Sequence, residues 1–365
     1  MIAKTLSEMF MPTASPPAVR GASLENPSLS LDDPATWEGV LGGTKSAAGV
    51  TVTHASALSL AGVWQVVSLI SGDVAMCPLN VYRREASGDR DIDRKHSAQY
   101  LIADQPNRDM PAFEFWRRVM LHAMLWGNAY IYISKIGRIG KPVELISLLP
   151  DRTTIKRDKD GSLGYITEAG GQMIPLMADE VIHVKGMSLD NSKGLDLVDK
   201  ARESWGLALA AEKFSSKFFA NGAQSGGILE VPAGFTPGAK DNLEQGFTTK
   251  YAGNDNAFKV VVLRDGAKFH ATTVNPDKAQ THLLREDQVR DVARFFNCPP
   301  FKLGIPGSVS YNSSEQGQIV YVQSTLAHWL KAVASETACK LLSDRERRNR
   351  THFIEHNTMA LIETD

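Results

Sequence analysis

The chain has 365 residues, enough for more than one packed unit, and 43% of them are hydrophobic and 22% charged, which is typical of a protein with real hydrophobic cores. The formal net charge is −1, whereas proteins that hold nucleic acid through many phosphate contacts are strongly basic. Composition therefore argues against a general nucleic-acid clamp, while a local basic lining stays open.

The first segment, residues 1–53, is rich in Pro, Ser, Ala and Gly and has few long apolar runs. Such a composition buries too little apolar surface to order itself. We expect a flexible arm, or one that wraps on a partner, and Trp37 is its one large anchor candidate.

An α+β unit follows the arm. Apolar residues at helical spacing predict a helix from Ala55 to about Val74. "PLNVYRR" predicts a strand, and "MPAFEFWRRVMLHAMLWG" a second helix with Pro111 in its first turn and Gly127 at its end. Six short β-prone runs then predict an antiparallel, hairpin-linked sheet packed on the two helices: "AYIYISKI", "VELISLLP", "TTIKRD", "GYITE", "QMIPL" and "EVIHVKG".

Helices return after this sheet. "GLDLVDKARESWGLALAAEKFSSKFFANG" is Ala-rich and predicts a long helix. "GGILEVP", "KDNLEQGFTTKYAG" and "KVVVLRDGAKFHAT" predict strand, helix and strand in a small module. "KAQTHLLREDQVRDVARFF" is helical again, because Val289, Val292, Ala293 and Phe296 share one face.

The segment from Phe296 to Gln316, "FNCPPFKLGIPGSVSYNSSEQ", is rich in Pro, Gly and Ser, and Lys302 is its one charged residue before Glu315. A long helix is predicted after it, and Ser313 with Gln316 fits a capping box at its start. This helix is longer than a compact domain needs, which suggests a large assembly or a rigid spacer.

The sharpest enzyme signal is "HFIEH" at His352 to His356, which matches the inverted zinc-peptidase motif H-x-x-E-H. On a helix the two histidines would share a face, with Glu355 as the base. A strand with alternating side chains is the favoured alternative, since only nine residues follow His356 and a third ligand is expected well downstream.

Other candidate reactive residues have structural interpretations. His183 alternates with apolar neighbours, so a place on the polar face of a strand is favoured over a role as a ligand. Cys77, Cys298 and Cys339 lie far apart without a C-x-x-C pair, which predicts small buried thiols in a reducing compartment. The longest apolar stretch, "MLWGNAYIYI", is too short for a membrane span, so no membrane association is expected.

An ordered set of short motifs covers roughly residues 55–365: "GNAY", "LLP", "EVIHVKG", "FFANGA", "GGIL", "VVLRDGAKF", "DVARFFNCPPFKLG" and "SYNSSEQ". Each motif alone is weak, but in this order and spacing the chain resembles the portal proteins of long-tailed bacteriophages and related gene-transfer particles. The resemblance implies a ring, usually a dodecamer, at one capsid vertex, with a central channel through which double-stranded DNA is packaged and ejected. The ring would belong to the virion and assemble in the host cytoplasm.

The resemblance also implies a domain plan for the portal fold. Its parts are an α+β wing, a two-helix stem, a small α/β clip, a tunnel loop and a long helix after the loop. The expected ranges are an N-terminal arm at 1–53, wing at 54–190, stem helices at 191–222 and 275–300, clip at 223–274, tunnel loop at 301–313, long wing helix at 314–344 and a C-terminal wing segment at 345–365.

The implied site is the channel rather than a catalytic centre. Its tunnel loop would present Ile305, Pro306, Gly307, Ser308, Val309, Ser310, Tyr311 and Asn312. Tyr311 and Asn312 would either touch DNA weakly or brace the next helix. Three basic residues of the stem, Lys278, Arg285 and Arg290, would either guide the duplex or face solvent or a neighbouring subunit.

The implied partners are further copies of the chain, DNA, the terminase large subunit, the major capsid protein or scaffold, and a head–tail adaptor. We expect no enzyme activity, catalytic residue, metal or cofactor, because the ATPase belongs to the motor. Two alternatives are a zinc-dependent hydrolase built on "HFIEH" and an oligomeric scaffold that never meets DNA.

Overall fold

The structure is a computed structural model that describes residues 44–85, 87–136, 141–157, 161–220, 227–230, 268–271, 281–305, 314–358 and 361. The chain divides into two compact units. Of the described residues, one unit contains Thr44 and those within 52–202 and 289–361, and the other contains those within 45–51 and 203–288.

The first half of the larger unit begins with helices α1 (His54–Ser59) and α2 (Ala61–Met76). The predicted single helix is thus wrong in one respect: it is interrupted at Leu60, which is buried and has extended backbone angles. Thr53 caps α1 by accepting from the N–H of Ser56 at 3.0 Å. The elements that follow α2 are β3 (Leu79–Arg84), β4 (Arg90–Ile92), α3 (Gln99–Ala103) and α4 (Ala112–Leu125). Two short strands precede α1 at the end of the N-terminal arm, β1 (Thr44–Lys45) and β2 (Thr51–Val52).

The predicted β-runs all form strands, and their pairing is antiparallel. The strands are β5 (Asn128–Ile136), β6 (Lys141–Leu148), β7 (Thr153–Arg157), β8 (Leu163–Ala169), β9 (Gln172–Met177) and β10 (Val181–Lys185). They form two three-stranded sheets, β10–β5–β6 and β7–β8–β9, rather than the one sheet expected. Strand β10 returns to β5 instead of continuing from β9, because its apolar residues Val181, Ile182 and Val184 are fully buried there.

The core of this unit lies where α2 and α4 pack together and where α4 meets β5. Apolar residues that recur at helical spacing supply it: Val63, Val66, Val67 and Ile70 from α2, and Phe115, Val119 and Met120 from α4, all at most 2% exposed. Pro111 is the residue immediately before α4, with extended backbone angles, so it precedes the first turn that was predicted to contain it.

The long helical run predicted after the loop is confirmed from Ser314 to Leu341. It consists of α7 (Ser314–Tyr321), a π-turn (Val322–Leu326) and α8 (Ala327–Leu341). A short helix α9 (Asp344–Arg348) and strand β13 (His352–His356) follow. Strand β13 pairs with β3 in the third sheet, β13–β3–β4. Ser313, the predicted cap, lies outside the described residues.

The smaller unit is built on two helices that cross its boundary, α5 (Leu197–Ala220) and α6 (Thr281–Phe295), and on the antiparallel pair β11 (Gly227–Glu230) and β12 (Lys268–Ala271). Within it, the backbone N–H of Ala47 donates to Glu203 Oε2 at 2.8 Å, and Trp205 and Ala208 are buried. The helix predicted between the two strands lies outside the described residues. Among the described helices, none combines the length and the apolar character that crossing a membrane would require.

Candidate functional site at the base of the 305–313 loop

The predicted loop leaves α6 at Asn297, whose backbone has φ +49°. Asparagine tolerates this left-handed region better than most residues, because its short polar side chain bonds locally. Asn297 Nδ2 donates to the carbonyl oxygen of Ser324 at 2.8 Å, and Thr325 Oγ1 donates to the carbonyl oxygen of Asn297 at 2.6 Å. The end of α6 is therefore held against the helix that follows the loop.

Both partners of Asn297 lie in the π-turn, Val322–Leu326. A π-turn inserts one residue into an α-helix, disturbs the regular carbonyl pattern there and occurs frequently at functional sites. The Ser324 hydroxyl donates back to Val320 at 2.7 Å, and Thr325 is fully buried. We infer that this wider turn is what presents the Ser324 carbonyl and the Thr325 hydroxyl to Asn297.

A second set of contacts forms nearer to the loop. A 3-10 turn, Pro300–Leu303, ends at Gly304, which has φ +73°. Lys302 Nζ donates to Gln318 Oε1 at 2.5 Å and lies 4.7 Å from the centroid of the Tyr321 ring. A Cβ on Gly317 would lie 3.2 Å from the Phe301 ring, so glycine lets this ring approach α7 closely. The segments before and after the loop are thus joined in two places, by Asn297 with the π-turn and by Lys302 with α7. We call these contacts the joint.

The joint continues into α2 through Tyr321 and Asp73. The Tyr321 hydroxyl donates to Asp73 Oδ2 at 2.7 Å, and the Tyr321 ring is fully buried. Burial raises the pKa of the Asp73 carboxyl, which the bond from Tyr321 and the nearby Lys302 charge partly oppose. Burial and the Asp73 charge raise the pKa of Tyr321 far above its usual range, so it stays a neutral donor.

Two buried cysteines lie beside this joint, and burial raises the pKa of both Cys77 and Cys298 to about 11. Both thiols are therefore protonated near neutral pH, and the predicted role of Cys298 as a small buried hydrophobe agrees with its 4% exposure. The same prediction is wrong for Cys339, which is exposed, because it lies on the solvent side of α8.

The predicted channel residues are only partly described. Ile305 is half-buried at the end of the 3-10 turn, while Pro306–Asn312 and Lys278 lie outside the described residues. Arg285 and Arg290 are exposed on α6. Arg294 on the same helix pairs with Asp291 at 2.8 Å, so the surface of α6 carries charges of both signs.

The "HFIEH" motif forms strand β13, not the helix that the zinc hypothesis requires. His352 Nε2 lies 3.2 Å from Asp93 Oδ2, while His356 Nδ1 donates to the carbonyl oxygen of Cys77 at 2.9 Å. The two histidines are thus engaged by different groups, and Glu355 pairs with Arg90 at 2.5 Å. Among the described residues no group of three His, Cys, Asp or Glu side chains can hold a metal ion. This geometry does not support the hydrolase hypothesis.

His183 is only 2% exposed, so the prediction that it lies on a polar strand face is wrong. Hydrogen bonds explain why a histidine is tolerated there: Nε2 donates to Asn128 Oδ1 at 3.0 Å, and Nδ1 accepts from the Tyr165 hydroxyl at 3.2 Å. Asn128 also accepts from the N–H of Gly194 at 2.7 Å and donates to its carbonyl at 2.9 Å. The motif "GNAY" contains Asn128, but its partners His183 and Gly194 are remote in the sequence, so no local pattern predicts this role.

The comparisons with known proteins decide the family. Residues 61–365 match the model of the family described as phage portal protein. The chain belongs to the phage portal protein family. The portal proteins most similar in sequence include the probable portal protein of Streptomyces phage phiC31, 31% identical over 86% of this chain and 70% of that protein, and the portal protein of Enterobacteria phage HK97, 29% identical over 84% and 72%.

Solved structures confirm the portal fold. The crystal structure of an HK97 family phage portal protein from Corynebacterium diphtheriae matches 86% of this portal chain and 98% of its own, with a TM-score of 0.65 and 17% identity. A chain of the neck of the native gene transfer agent particle, computed with C12 symmetry, covers 84% of both chains with a TM-score of 0.57 and 20% identity. The mixed α+β fold and the portal resemblance predicted from the sequence are thus confirmed.

Proposed function

We propose that this portal protein closes into a ring of twelve copies at one capsid vertex, and that double-stranded DNA is packaged and ejected through its centre. The observation that carries this proposal is the family match over residues 61–365. The C12 symmetry of the gene transfer agent neck, a particle with a chain of the same fold, supports the copy number. A ring closes when a head-to-tail interface repeats with the right rotation.

The contacts at the base of the loop support a role for Ile305–Asn312 in lining the channel. A loop beside moving DNA has to keep its position without clamping the duplex. The bonds of Asn297 and Lys302 to the π-turn and α7 fix the loop's two ends. The residues between them carry no charge, so they add no phosphate contacts that would slow the DNA. Tyr311 and Asn312 touch DNA weakly or brace α7.

The proposed domains follow the portal plan. The larger unit supplies the wing, α5 and α6 the stem, residues 223–274 the clip, and 301–313 the tunnel loop. Arg285 and Arg290, which are exposed on α6, and Lys278 guide the duplex electrostatically. Each cation that contacts a phosphate steepens the salt dependence of DNA binding.

The proposed partners are the terminase large subunit during packaging, the head–tail adaptor afterwards, and the major capsid protein or scaffold around the ring. The protein belongs to the virion and assembles in the host cytoplasm. It performs no chemistry of its own, since the motor supplies ATP hydrolysis.

The test combines imaging with packaging. Negative-stain images of the purified protein should show rings with a central hole of about duplex width. Ser308→Lys and Val309→Glu, placed in a reconstituted packaging motor, should each reduce DNA filling. Matched controls are Ser335→Lys on exposed α8 and Val143→Glu on exposed β6, which should leave filling unchanged. Holeless oligomers contradict the ring, and unchanged filling in both loop variants contradicts the loop's place in the channel.

A further inference from the structure

Strand β13 is an edge strand, since the sheet order is β13–β3–β4. The N–H of Arg84 donates to the Thr351 carbonyl at 2.8 Å, and that of Asn357 to the Pro78 carbonyl at 2.9 Å. In an antiparallel pair, alternate residues point their backbone groups at the partner. Odd-numbered residues of β13 therefore bond to β3, and the backbone groups of His352, Ile354 and His356 point away from it. In the described part of the chain these three residues have no backbone partner on that side.

A groove of about 720 Å³ runs along this region. Apolar residues of the long helical run form one wall, with Val322, Ala327, Leu330 and Ala334 among them, while residues 353–356 of β13 form part of the other. A strand edge beside an apolar wall is the arrangement in which an extended peptide adds to a sheet, with main-chain bonds for affinity and alternate side chains for specificity.

The groove is basic. Arg84, Arg90 and Lys331 line it, and Glu355 is the one carboxylate among its described lining residues. Glu355 is already paired with Arg90, at 2.5 Å. Arg84 lies 5.2 Å from the centroid of the Phe353 ring, which positions its charge along the strand. The occupant should therefore be an extended peptide in which every second side chain is apolar and which carries acidic residues at one end.

We propose that Ser28–Asp33 of the N-terminal arm, "SLSLDD", occupies this groove as a strand added to β13. Its apolar Leu29 and Leu31 alternate with Ser28, Ser30 and Asp32, the period of a strand with one buried face. Residues 21–43 carry Glu25, Asp32, Asp33 and Glu38 and no Lys or Arg, so their charge complements that of the groove.

This pairing explains both the outward backbone groups of β13 and the apolar and basic lining of the groove. The backbone of Ser28–Asp33 bonds to the outward N–H and C=O groups of His352, Ile354 and His356. The leucines pack on Leu330 and Ala334, and the aspartates approach the basic residues. The arm comes from the same copy or from a neighbouring copy. The inference does not rest on the ring, because the groove is complete within one chain.

Hydrogen exchange of the full-length protein tests the pairing. The amides of His352, Ile354 and His356 should exchange slowly in the unaltered protein. Leu29→Glu combined with Leu31→Glu should speed their exchange about tenfold or more, while the matched control Leu6→Glu, also in the arm, should not. Fast exchange in the unaltered protein contradicts the pairing, and so does slow exchange that the double variant leaves unchanged, because another occupant then covers the edge.

Cross-linking identifies the occupant directly. In a Cys339→Ser background, Leu31→Cys and Lys331→Cys should form a disulfide, because Leu31 faces the helical wall that carries Lys331, while Leu6→Cys and Lys331→Cys should not. Mixing protein of two isotopic masses before oxidation separates a bond within one copy from a bond between copies, and either result supports the pairing. Equal yields from Leu31→Cys and Leu6→Cys contradict it.

Discussion

Two clusters of polar side chains in this portal protein hold distant parts of the chain together. One cluster is built from neutral groups and the other contains charged groups. Around Asn128, His183 and Tyr165 the groups are neutral and buried, and each bonds to the others or to the Gly194 backbone. Around Asp73, Tyr321 and Lys302 the cluster contains two ionisable groups of opposite sign. The first lies in the sheet region and the second beside the loop.

The difference follows from solvent access. Burial lowers the pKa of His183 to about 3, so the neutral ring serves as a fixed donor and acceptor at physiological pH. Lys302 is only half-buried and its charge lowers the pKa of Asp73 against the effect of burial. A neutral network suits a rigid scaffold, whereas charged groups at a loop base remain sensitive to pH and salt.

The largest effect is expected at Gly127, which precedes Asn128. Its φ is +68°, and a Cβ there would lie 1.9 Å from the Leu195 carbonyl oxygen. Gly127→Ala should destabilise the fold by at least about 4 kcal/mol, because backbone strain adds to a backbone clash. Urea unfolding measures the change. Gly170→Ala is the control, since its φ is +59° but nothing lies within 4 Å, and it should cost only about 1–2 kcal/mol. Equal losses would mean that the close approach at Gly127 is unimportant.

The next effect tests the charged cluster. Tyr321→Phe removes the hydroxyl that donates to Asp73 and should cost about 1.5–3 kcal/mol of unfolding free energy. It should also speed hydrogen exchange across residues 305–313 if the joint holds the loop. Tyr100→Phe is the control. The Tyr100 hydroxyl also donates a hydrogen bond, to Gln105 at 2.9 Å, but the Tyr100 side chain is exposed, so water can replace that bond. A Tyr321 variant no weaker than this control would show that the joint is dispensable.

Sequence patterns predicted most elements because apolar periodicity and turn residues report local structure. The strands from Asn128 to Lys185 and the helix ending at Phe295 are confirmed by the structure. The break at Leu60 was missed, since its apolar neighbours fit one continuous helix. His183 was misplaced for a related reason: its partners Asn128 and Tyr165 are remote in sequence. No local pattern announces a π-turn, so the partners of Asn297 were not predictable either.

The pH dependence should distinguish the two clusters. The folded-state pKa of His183, about 3, lies below the ordinary 6.5, so the unfolded chain binds a proton that the folded chain does not. Its contribution to stability is full above pH 6.5 and is lost as pH falls from there towards 3. Burial also lowers the pKa of His122 and of His356 to about 4, so their contributions to stability are lost on acidification in the same way.

The contribution of Asp73 to stability changes with pH in the opposite direction. Its pKa is raised, so its contribution is full below the ordinary value of 3.8 and is lost as pH rises through the folded-state pKa. Unfolding midpoints between pH 4.5 and 7.5 should therefore fall on acidification more steeply in the unaltered protein than in His183→Gln, while Asp73→Asn should steepen the fall. Identical slopes in all three proteins would contradict the assignment.

The smallest effects are expected on the exposed face of α6. Arg285→Gln and Arg290→Gln should each change stability by less than about 0.5 kcal/mol. If both guide DNA, each should reduce the slope of log affinity against log salt for a short duplex by about 1. Lys141→Gln, at an exposed end of β6, is the control and should leave the slope unchanged. Slopes equal to the control's would show that these arginines do not guide the duplex.

A cryo-electron microscopy reconstruction of the assembled protein would show whether Ile305–Asn312 lines a pore. We expect a twelvefold ring in which Ile305–Asn312 of every copy faces a pore of about duplex width, with Asn297 and Lys302 held against the π-turn and α7 behind the loop. A map that places Ile305–Asn312 on the outer rim, away from any pore, would contradict it.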